Sequence, residues 1–404
     1  MRDVTIRGLI RAEQKRQKET LDLIASENFI SADVSVALGS VFSNKYAEGY
    51  PAKRYYAGTT IVDELETETQ ARALKLFGLS PKKWSVNVQP LSGSPANLAI
   101  YMALVPKGGR MLGMRLDAGG HLTHGFSGSA SGKFWKWKHY ALDPKTECLD
   151  YGEIARMAKK WKPKLIVAGG SAYAPVINWK KFRAIANSVG AIFMVDMSHL
   201  AGLVAGRAHP SPFPYADVVM TTTHKTLRGP RGAMIFSKTE YEKAIHHSVF
   251  PGVQGGPHMN QIAALAVTLR EANTPAFKNY AKQVVCNAKA FAEELKKRGW
   301  RIVSGGTGTH LFTMDTGMRG VRGSDAEKLL ERAGIIVNRE ELPNDTGGSR
   351  DPSGIRIGTP AVTTRGMKER DIKVVAGLVS ELLFHPAEFP KIKKEVLKLA
   401  KRFS

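Results

Sequence analysis

A lysine among small and hydroxylated residues poses the first chemical question. In "TTTHKTLRGPRG" (221–232), Lys225 follows Thr222 and His224 at the end of an apolar run, 216–220, and precedes Gly229, Pro230, Arg231 and Gly232. No carboxylate is adjacent in the sequence, and a Schiff-base amine must lose its proton easily, which an ion pair would hinder. A lysine near a strand end usually faces solvent, and alone Lys225 carries no function. A second apolar run, 193–195, delivers Asp196; alone, that aspartate is most simply a cap or turn former. Together they meet a specific need. Pyridoxal phosphate takes a lysine amine as its Schiff-base partner and a carboxylate that keeps its pyridinium nitrogen protonated, so that the ring can draw electrons from a substrate.

Such a cofactor also needs a phosphate cradle. Ser92, Gly93 and Ser94 stand before the apolar stretch 98–104, where a helix start would expose backbone N–H groups and the positive end of the dipole. Residues 252–257, "GVQGGP", offer a second turn of this kind; both turns are equally well ordinary caps or loops. In "GGHLTHG" (119–125) two histidines stand three apart. Zinc is excluded for lack of a third ligand nearby. His121, beside two glycines, can lie flat on a planar ring, while a hydrogen-bonded structural role is the plainer reading for His124. Arg356 sits between apolar residues in "GIRIGTP" (354–360). A guanidinium there suits bidentate capture of a carboxylate, internal or a substrate's.

These residues must be positioned by a sheet. The pattern predicts strands at 165–168, 191–195 and 218–220 and helices at 63–77 and 182–189, stopped by Gly78 and Gly190. Apolar strands joined by helical crossovers predict a mainly parallel sheet covered on both faces, with ligands at the carboxyl ends of its strands. Residues 4–20 read as a charged helix and 21–56 as an extended arm. Asn273, Thr274 and Pro275 mark a strong helix start, after which 301–303, 310–314 and 335–337 read as strands of a smaller α+β domain. The expected organisation is an N-terminal helix and arm (1–45), a large cofactor-binding domain (46–273) and a small C-terminal domain (274–404).

The formal net charge is +23 over 404 residues. Clustered cations bind polyanions by releasing counterions. The densest block, 156–183, holds eight basic residues and no acidic ones, but a strand-like run interrupts it and no nucleic-acid-binding motif accompanies it. A solvated basic surface that attracts small anions is the reading adopted, with no nucleic acid and no membrane as partners. No apolar run approaches the ~20 residues of a membrane span, no leader is expected, and two isolated cysteines, Cys148 and Cys286, point to a reducing cytoplasm.

Taken in order, "LIASENF" (23–29), "NKYAEGYPAKRYY" (44–56), "SGSPANLA" (92–99), "GGHLTHG" (119–125), "MVDMSHLAGLVA" (194–205), "TTTHKTLRGPRG" (221–232), "FPGVQGGP" (250–257) and "GIRIGTPAVTTRG" (354–366) resemble the motifs of serine hydroxymethyltransferases. The resemblance runs over essentially the whole chain. It implies the aspartate-aminotransferase-like fold, pyridoxal 5'-phosphate, and exchange of a hydroxymethyl unit between serine, glycine and a tetrahydropterin. It assigns the cofactor to Lys225, Asp196, His121, His199, Ser171, Gly93, Ser94 and Arg231, with Gly256 and Tyr46 from a neighbouring subunit of a homodimer. Lys225, Glu48, His224 and Thr222 would be catalytic, Glu48 also from the neighbour. Ser26, Tyr56 and Arg356 would hold the amino acid, and Leu116, Gly120, Leu122 and Glu340 the pterin.

The chain departs from the family's pattern at Leu91 and Pro95, where many members carry His and Gln. It departs again in "NREELPNDTGGSRDPSG" (338–354), where Glu340 replaces an Asn and an aromatic near Arg350 is missing. These changes imply either tetrahydrofolate or a modified carrier of the methanopterin type, as in archaeal relatives. The alternatives are a threonine-aldolase-like lyase, which needs no pterin, and a basic nucleic-acid-binding protein on the same fold.

Overall fold

The computed structural model describes residues 2–343, 345, 347–348 and 351–404; Arg350 lies outside them. Contacts divide the chain into Asn28–Lys282 and a second unit made of Met1–Glu27 with Gln283–Ser404. The boundaries expected from the sequence lie at 45/46 and 273/274.

Asn28–Lys282 is built on seven strands: β1 Trp84–Asn87, β2 Arg110–Met114, β3 Lys136–Tyr140, β4 Leu165–Ala168, β5 Ile192–Asp196, β6 Val218–Thr222 and β7 Ala233–Lys238. Their order is β1-β7-β6-β5-β4-β2-β3. The pairs from β6 through β3 are parallel, and only β7 runs against its neighbours. Every residue of β4 and β6 is buried, which requires cover on both faces and explains their unbroken apolar runs. The helix Trp179–Val189 starts where the Asn178 side chain accepts from the Lys181 N–H and ends at Gly190, φ 64°. Thr60–Phe77 ends likewise at Gly78, φ 67°; both stops use the left-handed conformation that glycine tolerates. The outermost strand β3 alternates exposed Lys136 and Lys138 with half-buried Trp137 and His139, a pattern that does not read as a buried strand. Residues 28–56 carry more structure than the expected arm: a helix, Ala32–Leu38, capped by Ser31, and a hairpin pairing Gly49–Tyr50 with Lys53–Arg54.

The second unit holds a four-stranded antiparallel sheet in the order β8 Arg301–Ile302, β9 Leu311–Asp315, β11 Gly354–Gly358 and β10 Asn338–Glu340. Residues 335–336, expected in this sheet, instead pair in parallel with Leu21–Asp22. The first helix, Val4–Glu19, packs against the last, Phe389–Arg402. Arg365 ties them together, donating to the carbonyls of Thr20 at 2.7 Å and Ala400 at 2.6 Å. These bonds are why the N-terminal helix groups with the C-terminal segment rather than with an arm of its own.

Candidate active site

The parallel strands β2, β4, β5 and β6 point one way, so the segments leaving their carboxyl ends share one edge of the sheet. Those segments carry Leu116, Gly120 and His121, then Ser171, then Asp196 and His199, then Thr222, His224 and Lys225. Asp196 is registered with Met220 across β5 and β6.

The Lys225 loop folds back on itself. The Thr223 N–H donates to Gly232 O at 3.1 Å, the Gly229 N–H to Thr223 O at 2.8 Å, and the Arg228 N–H to Lys225 O at 3.0 Å. Asn28 Nδ2 adds a bond to Lys225 O at 3.0 Å and another to the Tyr280 hydroxyl at 2.7 Å. The Arg228 guanidinium lies 4.9 Å from the Tyr280 ring centroid. Lys225 itself is 9% exposed. His199 is buried, and its carbonyl accepts from Thr226 Oγ1 at 2.9 Å. Burial, and then the positive charges of Lys225 and Arg231, lower His224 to about 3. Its Nδ1, like Thr222 Oγ1, is a buried polar atom with no hydrogen-bond partner among the described residues. Arg231 is exposed.

Asp196 is buried with three donors on it. Its Oδ2 accepts from Asn97 Nδ2 at 3.1 Å and faces His124 Nε2 at 3.2 Å, and its Oδ1 accepts from the Ser198 N–H at 3.0 Å. The His121 backbone N–H approaches His124 Nδ1 at 3.4 Å, which makes Nδ1 the acceptor and leaves Nε2 to donate to Asp196. Burial raises a carboxyl, but here the bonds from His124 and Ser198 and the nearby imidazoles outweigh it and hold Asp196 below the usual carboxylate range. His121 Nδ1 lies 2.7 Å from Thr123 Oγ1. Burial, then His124, lowers His121 to about 4, against the pull of Asp196, so its ring is neutral at pH 7. His124, Asn97 and Ser198 were not among the expected cofactor contacts. For His124, the structure has the hydrogen-bonded role that the sequence favoured.

Gly93 opens the helix Gly93–Leu104, and Ser94 is exposed beside it. A Cβ on Gly93 would stand 2.7 Å from Thr222 Cγ2, so only glycine lets the helix start come this close to the end of β6. The Ser171 N–H donates to Gly119 O at 2.6 Å, joining the turns after β4 and β2. Gly120 is buried, whereas Leu122 is 49% exposed.

Tyr46, Glu48, Tyr56, Gly255 and Gly256 form a second cluster. The Tyr46 and Tyr56 rings are 5.1 Å apart. Glu48 hydrogen-bonds Tyr56 and its charge raises that phenol. A Cβ on Gly256 would meet Tyr46 at 3.3 Å, and one on Gly255 would meet Glu48 Oε1 at 3.1 Å. Arg54 positions the segment, donating to Ala47 O at 3.0 Å and Gly49 O at 2.8 Å on either side of Glu48. Asp63 at 2.8 Å and the buried Glu66 at 2.6 Å hold Arg54 in turn.

Ser26, Arg356 and Glu340 belong to the other unit. Ser26 is half-buried. Arg356 Nε donates to Asn338 Oδ1 at 3.0 Å and stands 3.6 Å from Glu340 Oε2. The sequence had left open which carboxylate this arginine meets; within the chain it is that of Glu340.

The lysine cluster fits a pyridine-based cofactor. A buried carboxylate is kept ionised where a ring N–H could meet it, a lysine stands at the neighbouring strand end, and the helix start closes over Thr222. Among the described residues, no group of His, Cys, Asp and Glu could hold a metal ion, and no helix is long and apolar enough to cross a membrane.

The serine hydroxymethyltransferase family model matches residues 1–379. A serine hydroxymethyltransferase of Coprothermobacter proteolyticus is 52% identical over 394 residues, 98% of this chain and 94% of that protein. One from Koribacter versatilis is 51% identical, covering 98% and 93%, and one from Myxococcus xanthus is 49% identical, covering 99% and 96%.

Proposed function

Since this chain belongs to the serine hydroxymethyltransferase family, we propose that it moves a hydroxymethyl unit between serine and a tetrahydropterin through the two sets of residues just described. The activity is that of a pyridoxal-phosphate-dependent transferase; the family match favours it over a threonine-aldolase-like lyase. When bound, the cofactor supplies an electron-withdrawing ring that stabilises negative charge at the amino acid's α-carbon.

The chain's own residues divide the remaining work. Lys225 Nζ would hold the cofactor. Asp196 would accept from the ring nitrogen, and the neutral His121 would pack against the ring. Ser171 and His199 serve the ring hydroxyl. The start of the helix Gly93–Leu104, with Ser94, takes the phosphate, together with Tyr46 and Gly256 of a second copy in a homodimer. Arg231 adds positive charge nearby, and Thr222 and His224 line the lysine. Ser26, Tyr56 and Arg356 hold the amino acid, Arg356 by its carboxylate. Glu48, from the second copy, moves the proton of the serine hydroxyl. Leu116, Gly120, Leu122 and Glu340 face the pterin. The cytosol is the compartment that two free cysteines favour.

The observation that carries this reading is the ionised, buried Asp196 registered beside β6, whose following loop carries Lys225. Its test is borohydride reduction of the holoenzyme followed by peptide mapping. The cofactor should be found on residue 225, and a label on any other lysine overturns the assignment. Serine cleavage measured side by side with tetrahydrofolate and tetrahydromethanopterin identifies the carrier: the higher kcat/KM names it.

A further inference from the structure

The inference drawn here rests on the reading of Arg356 as the partner of the amino acid's carboxylate. We propose that Glu340 is an internal counter-carboxylate of Arg356, which stands against the guanidinium before the amino acid arrives and weakens the hold on it.

The strand register places the groups together. Asn338 lies opposite Arg356 across β10 and β11, and Glu340 opposite Gly354. Residues two apart on a strand share a face, so Asn338, Glu340 and Arg356 point to one side. Arg339, between them, turns away to Glu327, with its backbone N–H 3.1 Å from Glu327 Oε1. On the shared side the contacts close a triangle. Arg356 Nε donates to Asn338 Oδ1 at 3.0 Å, Asn338 Nδ2 donates to Glu340 Oε2 at 3.3 Å, and that oxygen is 3.6 Å from Arg356 Nε. The Asn338 amide therefore fixes the carboxylate beside the guanidinium.

The setting makes the charge matter. The two side chains are only 11% and 20% exposed, so water screens the pair weakly. Burial lowers Arg356 and raises Glu340, and in each case the other's charge opposes the shift. A second carboxylate brought to the same guanidinium meets Glu340 as a like charge in a poorly solvated place, and such juxtapositions are unfavourable. The residue thus trades affinity for release, which suits an enzyme whose substrate and product are both amino acids of the same charge.

The test uses the holoenzyme and calorimetric titration with glycine. Glu340→Gln keeps the shape and the Asn338 contact but removes the charge, and it should tighten glycine by ~10-fold, the scale of one like-charge contact at partial burial. Glu340→Asn should move affinity in the same direction. Ethanolamine, which is serine without its carboxylate, should show no tightening from either Glu340 variant. Arg356→Ala alone should weaken glycine by ~100-fold. If Arg356→Ala weakens glycine but both Glu340 variants leave it unchanged or weaker, the counter-carboxylate idea is overturned and the Arg356 reading stands. If Arg356→Ala leaves glycine affinity intact, the Arg356 reading fails and takes this inference with it.

Discussion

Asp196, in the seven-stranded sheet, and Glu340, in the four-stranded one, are carboxylates with opposite company. Asp196 is met by an imidazole, an amide and a backbone N–H. Glu340 is met by an amide and a guanidinium. Directed donors overcome burial at Asp196 and hold it ionised, whereas at Glu340 burial wins and its carboxyl is raised. Several aimed donors leave a carboxylate ready for a charged group from outside, because no permanent cation has already claimed it. A guanidinium paired within the chain must instead exchange one anion for another. The first arrangement suits a cofactor that stays, and the second suits a substrate that leaves.

The comparison breaks most visibly at the lysine. Lys225→Ala should lower kcat by more than about 10⁴-fold, because it removes the amine proposed to attach the cofactor; the variant should also lose the yellow colour of the attached cofactor. Asp196→Asn keeps the size and loses the charge. A fall in kcat of about 10³-fold is expected from losing the ring's ionic partner, and an unchanged kcat would mean that the directed donors at Asp196 serve folding alone. Arg356→Ala should act on binding, raising KM for serine by ~100-fold with a smaller change in kcat.

If the proposed shared site holds, the cluster around Glu48 extends the comparison to a second copy of the chain. Tyr46 and Tyr56 are 56% and 46% exposed, which suits residues that complete a neighbour's site. Inactive Glu48→Ala and Lys225→Ala chains, mixed and reassociated, should regain roughly a quarter of wild-type activity if two-fold hybrids contain one intact site. No recovery from demonstrably mixed dimers would place Glu48 in its own chain's site.

The smallest effect is one of pH. His121 is lowered from its ordinary 6.5 to about 4, so between those values the unfolded chain binds more protons than the folded one, and stability rises with pH. This contribution is complete above 6.5 and is lost as pH falls toward 4. His121→Gln should flatten the melting temperature against pH across that window, and a slope equal to wild type would show that His121 does not titrate there.

Much of this was legible in the sequence, for physical reasons. β4 and β6 are buried on both faces, so their apolar runs stand out; Asp196 closes the apolar run of β5, and Lys225 stands in the loop that follows β6. Gly78 and Gly190 mark helix ends because their backbones are left-handed. β3 escaped notice because an edge strand carries lysines and aromatics in alternation, and β10 because Asn338, Arg339 and Glu340 look like loop residues until β11 pairs with them. The grouping of Val4–Glu19 with the C-terminal segment depends on Arg365 reaching carbonyls about 345 positions away, which no local pattern encodes. The Ser198 N–H on Asp196 is local, but the side-chain donors come from residues 97 and 124, and only folding brings them there.

The lysines of β3 bear on how the protein behaves at high concentration. β3 is an outer strand of the sheet, and its free rim could in principle accept a strand from another molecule. Lys136 and Lys138 stand exposed along that rim. Another copy approaching edge to edge would bring the same two ammonium groups against them, and the repulsion would act before backbone pairing could begin. Two of the cations in the surplus of +23 thus stand where edge pairing would have to begin, and Lys136→Thr with Lys138→Val should raise light scattering that grows with protein concentration.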